Sequence, residues 1–295
     1  MDLRHLRYFM AVAEELHFSR AAERLHIEPS PLSRTIKELE DELGIVLFKR
    51  DRRGTHLTHP GCVFLEEVRR IFMALDHAKQ SVKAAASGYR STLRIALSDS
   101  VAQPRLAAIL ARCREEEPDI DVRLFEVPLS VQLRGLRDDT FDAGFSRSAD
   151  VGDAIIAQPL WLDPLVVTIP TRHPLLAHKE IPLQELLRYP LVMCHPEICA
   201  GCSRQVQRIL RNAEAEPLVV EHVTSMDMML TLVAAGYGLG FATLAHIAVC
   251  KHPEIVARPL GVEGSILTTY LLTPDIDPSP QLGGFIDRVM ESVES

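Results

Sequence analysis

The chain has 295 residues, 47% hydrophobic and 24% charged, which is too long for one ordinary domain and too balanced for a disordered or fibrous protein. No apolar run reaches the roughly 18–20 residues that cross a bilayer, and Met1-Asp2-Leu3-Arg4-His5 has no apolar leader region, so no membrane partner and a cytoplasmic location are expected. The net charge of −8 speaks against a nucleic-acid binder as a whole, but residues 1–60 carry 10 Lys+Arg and 10 Asp+Glu while the other 235 carry 22 and 30.

The neutral N-terminal segment opens on three short predicted helices. Leu3, Leu6, Phe9, Met10 and Ala13 share one helical face. Ser19 is the expected N-cap of a second helix with Ala21, Ala22 and Leu25 inside. Leu32, Ile36, Leu39 and Leu43 repeat at 4-3-4 spacing in a third, stopped by Gly44. Only His26 to Pro29 separate the second and third. Two short helices with small alanines at their contact and a tight connection spell a helix-turn-helix. Ile45 to Phe48 and Thr55 to Leu57 flank Gly54 and suit a two-stranded wing. The basic run Lys49-Arg50-Asp51-Arg52-Arg53 gives this segment an edge that can meet phosphates, its plain alternative being a solvated loop.

Thr58 reads as an N-cap, with Pro60 early in the helix that follows. Phe64, Val68, Ile71, Leu75, Ala78 and Val82 then make a 4-3-4-3-4 seam over nearly three heptads. A narrow seam on a lone helix needs a partner, so this is the expected dimerisation helix. Packing on its own domain is the alternative. Ser87 to Ser91 form a linker. Beyond it strands and helices alternate: strands at 93–97, 122–124, 141–145, 165–169, 191–193, 219–220 and 266–272, helices at about 104–117, 203–213, 225–235 and from 280. Two such runs, joined by two crossings, predict two α/β lobes around a cleft. The expected domains are 1–58, a winged helix-turn-helix; 59–90, a dimerising linker helix and hinge; and 91–295, a two-lobed α/β domain. Its first lobe is about 91–162 and 267–295, its second about 163–266.

Phe18-Ser19-Arg20-Ala21-Ala22-Glu23-Arg24-Leu25-His26, Leu32-Ser33, Leu39-Glu40, Leu43-Gly44, Leu47-Phe48-Lys49-Arg50 and Leu57-Thr58…Gly61, in that order, resemble the DNA-binding domain of LysR-type transcription regulators. More loosely, Phe141–Phe145, His173-Pro174-Leu175 and Ala234 to Gly240 resemble that family's effector domain. The resemblance implies a periplasmic-binding-protein-like sensor fold, a homodimer and usually a homotetramer, and duplex DNA and a small-molecule effector as partners. RNA polymerase is a further possible partner. No cofactor and no enzymatic activity are expected. One departure is plain: Glu28-Pro29-Ser30 stands where the family usually has Ser-Gln-Pro or Ser-Gln-Ser. Pro29 has no donor, and Glu28 is a poor N-cap that repels phosphate.

In a winged helix-turn-helix the second helix of the motif enters the major groove with its first turns on base edges. Pro29, Ser30, Pro31, Ser33, Arg34 and Lys37 lie on that stretch. Arg34 suits a bidentate contact to guanine, Ser33 a shorter contact to base or phosphate, and Lys37 a phosphate. Glu40 and Asp41 offer Lys37 an ion-pair alternative. Arg50, Arg52 and Arg53 of the wing would track the backbone or probe the minor groove.

In two-lobed α/β folds ligands sit where strand carboxyl ends meet helix N-termini. Four segments qualify: Ser98-Asp99-Ser100, Pro128-Leu129-Ser130, Phe145-Ser146-Arg147 and Gly201-Cys202-Ser203. With Ser225 they offer hydroxyls, amides and one guanidinium, which favour a small carboxylate. Plain helix capping is the competing role for the serines, and a surface ion pair for Arg147. Ser100, Arg147 and Cys202 fall where the resemblance to regulators of aromatic catabolism implies effector contacts, although that subgroup tends to have Thr where this chain has Leu129. Cys194, His195, Cys199 and Cys202 raise three alternatives: a zinc site, an oxidant-sensing thiol, or an enzyme with Cys199 or Cys202 as nucleophile and His195 as base. No nucleophile elbow, P-loop or dinucleotide motif supports the enzyme. A solute-binding protein is disfavoured by the first sixty residues.

Overall fold

The computed structural model describes residues 1–51, 54–86, 89, 91–99, 101, 104–211, 215–250 and 252–294. They divide into two compact units, Met1–Val82 and Lys83–Ser295. Among the described residues, no helix is long and apolar enough to cross a membrane.

The first unit is α1 (Leu3–Glu15), α2 (Phe18–Arg24), α3 (Pro29–Leu43), β1 (Phe48–Asp51), β2 (Gly54–Leu57) and most of α4 (His59–Ala86). The Asp2 carboxylate caps α1 by accepting from the amides of Arg4 and His5. For α2 the cap is His17, whose Nδ1 accepts from Arg20 N–H at 3.4 Å, and not Ser19. Glu28 makes no capping bond, so Pro29 opens α3 with its fixed φ. Gly44 closes α3 at φ +66°. Leu32, Ile36 and Leu39 are buried as their spacing predicts. They meet a cluster of rings in which Phe9 lies 5.3 Å from Phe48 and 4.9 Å, edge-on, from Phe64.

The wing pairs Phe48 with Leu57 through to Asp51 with Gly54, so its first strand starts three residues later than the apolar run suggested. Ile45 to Leu47 serve instead as a connection. Glu40 explains the shift: its carboxylate accepts from Leu47 N–H (2.7 Å) and Phe48 N–H (3.0 Å). Thr58 caps α4, its Oγ1 accepting from Gly61 N–H at 3.0 Å. Gly61 has to be small, because a Cβ there would run into the Leu47 carbonyl. The expected seam of α4 divides. Phe64 and Val68, with Leu65 and Phe72, go into the unit's own core. Ile71 (40% exposed) and Val82 (70% exposed) stay outside.

In the second unit, β3 (Ser91–Leu97), β4 (Ile120–Glu126) and β5 (Ala143–Ser146) form the parallel part of the first lobe, with α5 (Pro104–Glu116) and α6 (Leu129–Arg137) between them. β6 (Ile155–Pro170) leaves this lobe and continues into the second as one strand. There follow a 3-10 turn (Pro174–Ala177), α7 (Leu183–Leu186), β7 (Leu191–Cys194), α8 (Ala200–Leu210), β8 (Val219–Val223), α9 (Met226–Ala234), β9 (Gly240–Thr243), α10 (Leu244–Val249) and β10 (Ile255–Pro259). β11 (Ile266–Pro274) returns antiparallel to β6, and α11 (Pro280–Glu294) ends the chain's described part. The large sheet runs β10-β6-β11-β5-β3-β4, with β9 also on β6.

Each lobe has its own core. In the first, Phe145 stacks on Trp161 at 5.5 Å and meets Phe285 edge-on. Arg94 holds Asp142 in a bidentate pair (2.6 and 3.0 Å) at the start of the β5 segment. Gln132 ties α6 to the sheet by donating to the Ala96 and Phe145 carbonyls. The second core gathers Val167, Ile169, Ile181, Leu186, Leu191, Val206 and Leu239. Because β3 and β5 are parallel neighbours, their carboxyl ends deliver Asp99 and Arg147 to the same place.

Candidate functional site

On α3, Pro29, Ser30, Pro31, Arg34 and Lys37 are exposed and Ser33 is half-buried. Neither Arg34 nor Lys37 has an ion-pair partner among the described residues, and Glu40, the alternative partner for Lys37, is spent on the wing amides. Both cations therefore face solvent from one helix side. Lys49 is exposed on β1. Arg50 occupies a strand position opposite Thr55, while Arg52 and Arg53 lie outside the described residues.

Of the four segments expected around an effector, the structure joins three, and the joint is Asp99. This residue follows β3 with φ +58° and is 4% exposed. Its Oδ1 accepts from the amides of Gly201 (2.8 Å) and Cys202 (3.1 Å), the opening turn of α8. Its Oδ2 accepts from the Ser98 hydroxyl (3.1 Å), the Ser146 hydroxyl (3.0 Å) and the Arg147 amide (3.1 Å). Around this knot Gln205 donates to the Arg147 carbonyl at 2.5 Å, and Arg204 reaches the Ser148 hydroxyl and Asp150. The approach is so close that a Cβ on Gly201 would lie 2.5 Å from Asp99 Oδ2 and 2.7 Å from the Arg147 carbonyl carbon.

The Arg147 guanidinium is buried as well, its residue 5% exposed. No carboxylate forms an ion pair with it among the described residues. Its Nη1 lies 3.9 Å from Cys202 Sγ, and its Nε has no hydrogen-bond partner. His246 Nε2, on α10, is also buried and unpartnered. Burial, and then the nearby Arg147, lower the His246 pKa and keep the ring neutral. Arg147, Cys202 and Ser203 border a narrow pocket whose other walls include Met193, Met226, Met229 and Phe241. As it stands the pocket is no larger than about one water molecule, but methionine walls repack at low cost. A wider hollow beside α8, lined by Arg147, Ser148, Arg204, Arg208 and Arg211, opens to solvent.

The remaining expected contacts lie elsewhere. Leu129 is a core residue of α6, buried with Leu136, Phe141 and Leu272, because the first turn of that helix faces the sheet. Ser130 beside it is exposed. Ser225 is exposed and caps α9, accepting from Met228 N–H. Ser100 lies outside the described residues. Residues that sequence reasoning left out are Asp99 as a central acceptor, the three methionines, Phe241 and His246.

The thiols divide as well. Cys194 Sγ and Cys202 Sγ are 4.0 Å apart, while Cys199 Sγ points to the Thr224 carbonyl. A hydrogen bond from Cys194 and the charge of Arg147 outweigh burial and hold the Cys202 pKa at about 7. The neighbouring thiols of Cys199 and Cys202, with burial, push Cys194 well up. His195 Nδ1 accepts from Glu197 N–H, so it serves its own turn and not a cysteine. Among the described residues no group of three or more His, Cys, Asp or Glu side chains is placed to hold a metal ion, which leaves the zinc alternative without a site.

Comparison with known proteins bears on both units. Residues 3–62 match the family described as bacterial regulatory helix-turn-helix protein, lysR family, and residues 86–294 match the LysR substrate binding domain. The Hca operon transcriptional activator HcaR of Escherichia coli is 30% identical over 296 residues, covering 100% of this chain and 99% of that protein. The transcriptional regulator BenM of Acinetobacter baylyi is 33% identical over 241 residues, 81% of this chain and 79% of BenM. The crystal structure of CbnR, a LysR family transcriptional regulator, covers 100% of both chains with a TM-score of 0.78 and 25% identity. CbnR in complex with its target DNA gives 0.76 over 99% of this chain and 100% of CbnR, also at 25% identity.

Proposed function

For a chain that belongs to the LysR family, and is therefore a DNA-binding transcription regulator with an effector domain and not an enzyme, we propose that the effector is a small organic acid held by Arg147. One observation carries this reading: a buried guanidinium with no carboxylate partner, at the wall of an apolar pocket. A buried, unpaired charge is costly and is retained where something pairs with it in use. Cys202 and Ser203 border the acid, and Met193, Met226, Met229 and Phe241 take the apolar body.

On the DNA side, Arg34 reads a base, Ser33 supports it, and Lys37 and the wing cations meet phosphates. Residues 1–58 are the reader, 59–90 the dimerising helix and hinge, and 91–295 the sensor. The exposed Ile71 and Val82 of α4 are the part of the seam left for a second copy, which suits a homodimer and, by family habit, a homotetramer. A cytoplasmic location suits its work on DNA. The effector shifts the reader's state only by its differential affinity for the two sensor conformations. The test is a thermal-shift screen of the full chain against small mono- and dicarboxylates. At least one is expected to raise Tm in a concentration-dependent way, and a flat response across the series refutes an acid effector.

The 4.0 Å spacing of Cys194 and Cys202 beside Arg147 favours a second reading, in which the same pocket senses oxidant. A peroxide would convert the Cys202 thiolate to sulfenic acid with loss of hydroxide, and Cys194 would then close the disulfide with loss of water. Because Cys202 titrates at about 7, its oxidation rate is expected to rise with pH to a midpoint near 7, below the ordinary thiol value. Peroxide titration followed by peptide mass mapping checks it. Two thiols persisting at 194 and 202 exclude this reading.

A further inference from the structure

We propose that Asp99 fills the anion slot at the N-terminus of α8 with the protein's own carboxylate, latching lobe to lobe and denying that slot to an external acid. The opening turn of an α-helix presents free amides and the positive end of the helix dipole, so it attracts a carboxylate. Here the attraction is already answered. Asp99 belongs to the first lobe and α8 to the second, yet five donors from three chain segments converge on its two oxygens. Two of those donors, the amides of Arg147 and Cys202, belong to residues that also line the pocket. The slot and the pocket are therefore adjacent halves of one site, and only the pocket half lacks an acid. A ligand entering there finds the Arg147 guanidinium as its charged anchor, so the site selects one acid group on a compact apolar body over a diacid.

The backbone suits the role. Asp99 sits at φ +58°, a conformation that Asp tolerates and Gly prefers. Asp99→Gly consequently removes the carboxylate without straining the turn, which makes it the informative variant. The inference rests on the pocket assignment made above only for its consequence for ligand choice. The latch itself stands on the five hydrogen bonds.

The experiment compares wild type, Asp99→Gly and Asp99→Asn as full chains, with sodium formate against equal sodium chloride. Wild type is expected to gain nothing from formate beyond chloride. Asp99→Gly is expected to melt lower, by on the order of 5 °C, and to recover with formate but not with chloride. Amide exchange at Gly201 and Cys202 is expected to be slow in wild type and at least tenfold faster in Asp99→Gly. Asp99→Asn keeps one acceptor oxygen for those amides but loses the charge and turns an NH2 toward the Arg147 amide, so its exchange is expected between the two, which keeps the test alive if Asp99→Gly does not fold. Unchanged exchange at those amides, or formate acting no better than chloride on Asp99→Gly, overturns the latch. Arg147→Met leaves the Arg147 amide in place. If carboxylate responses ignore Arg147 while the 201–202 amides still depend on Asp99, the latch survives and the pocket assignment falls.

Discussion

Replacing Arg147 by Met is expected to make the free protein more stable and at the same time to abolish its response to acids. The guanidinium is buried and its Nε unpartnered. Exchanging a buried charge of this kind for an apolar side chain of similar volume is commonly neutral or stabilising, here by about 1–3 kcal/mol, or a Tm several degrees higher for a unit of this size. The pH dependence gives the prediction a second handle. Cys202 ionises at about 7 in the folded protein, against the ordinary thiol value of 9.0. An acid whose pKa is depressed by folding adds stability that is complete above the unfolded value and is lost as pH falls through the folded one. Wild type therefore has its thiolate as a partial mate for Arg147 at pH 9 and loses it below 7. The advantage of Arg147→Met should be largest near pH 6 and shrink toward pH 9. Calorimetry across that range, with and without a stabilising carboxylate, measures both effects. A variant less stable than wild type at pH 6, or one that still responds to the acid, contradicts the assignment.

Arg34→Ala is expected to cost roughly ten- to a hundredfold in affinity for the operator while leaving binding to unrelated duplex nearly unchanged. The argument is positional. Arg34 is exposed in the second turn of α3 and unpaired among the described residues, so its donors are free for a base edge. A phosphate contact would instead weaken all sequences alike and lower the salt dependence by about one ion. Shift titrations on both duplexes at two salt concentrations separate these outcomes. Equal losses on both would move Arg34 to the phosphate group.

The helices of the first unit were legible because their determinants are local. Leu32, Ile36 and Leu39 state a helix face by spacing alone, and Gly44 states its stop. The wing was misplaced because its register is set by Glu40, eight residues from Phe48, which takes two amides that would otherwise join a strand. β6 was read only at its most apolar stretch, 165–169. The stretch before it, 155–164, alternates weakly and contains Pro159 and Pro164, and it is a strand because β11 pairs with it. α10 and β10 were missed for the same reason. One is a short helix with no buried residue and the other a half-buried strand held by β6. At the site, convergence of the turn after β3, the turn after β5 and the start of α8 followed from the topology of parallel strands. The choice of Asp99 over its serine neighbours did not, since it depends on amides about 48 and 103 residues away. Leu129 is buried in a cluster that Ala200 of α8 also packs against; whether a helix's first residue faces the sheet or the cleft depends on a helix rotation that sequence does not state.

β6 runs from the first lobe into the second, and β11 pairs with it from Ile155 up to Pro164, where the second lobe begins; prolines stand at 159 and 164 on one strand and a bulge at Thr269/Tyr270 on the other. Two bodies tied by such a ribbon resist parting like a book and yield more readily to torsion. Whatever signal the sensor sends is therefore expected to be a small rotation, wound up in the few ladder rungs where the prolines have already removed the donors.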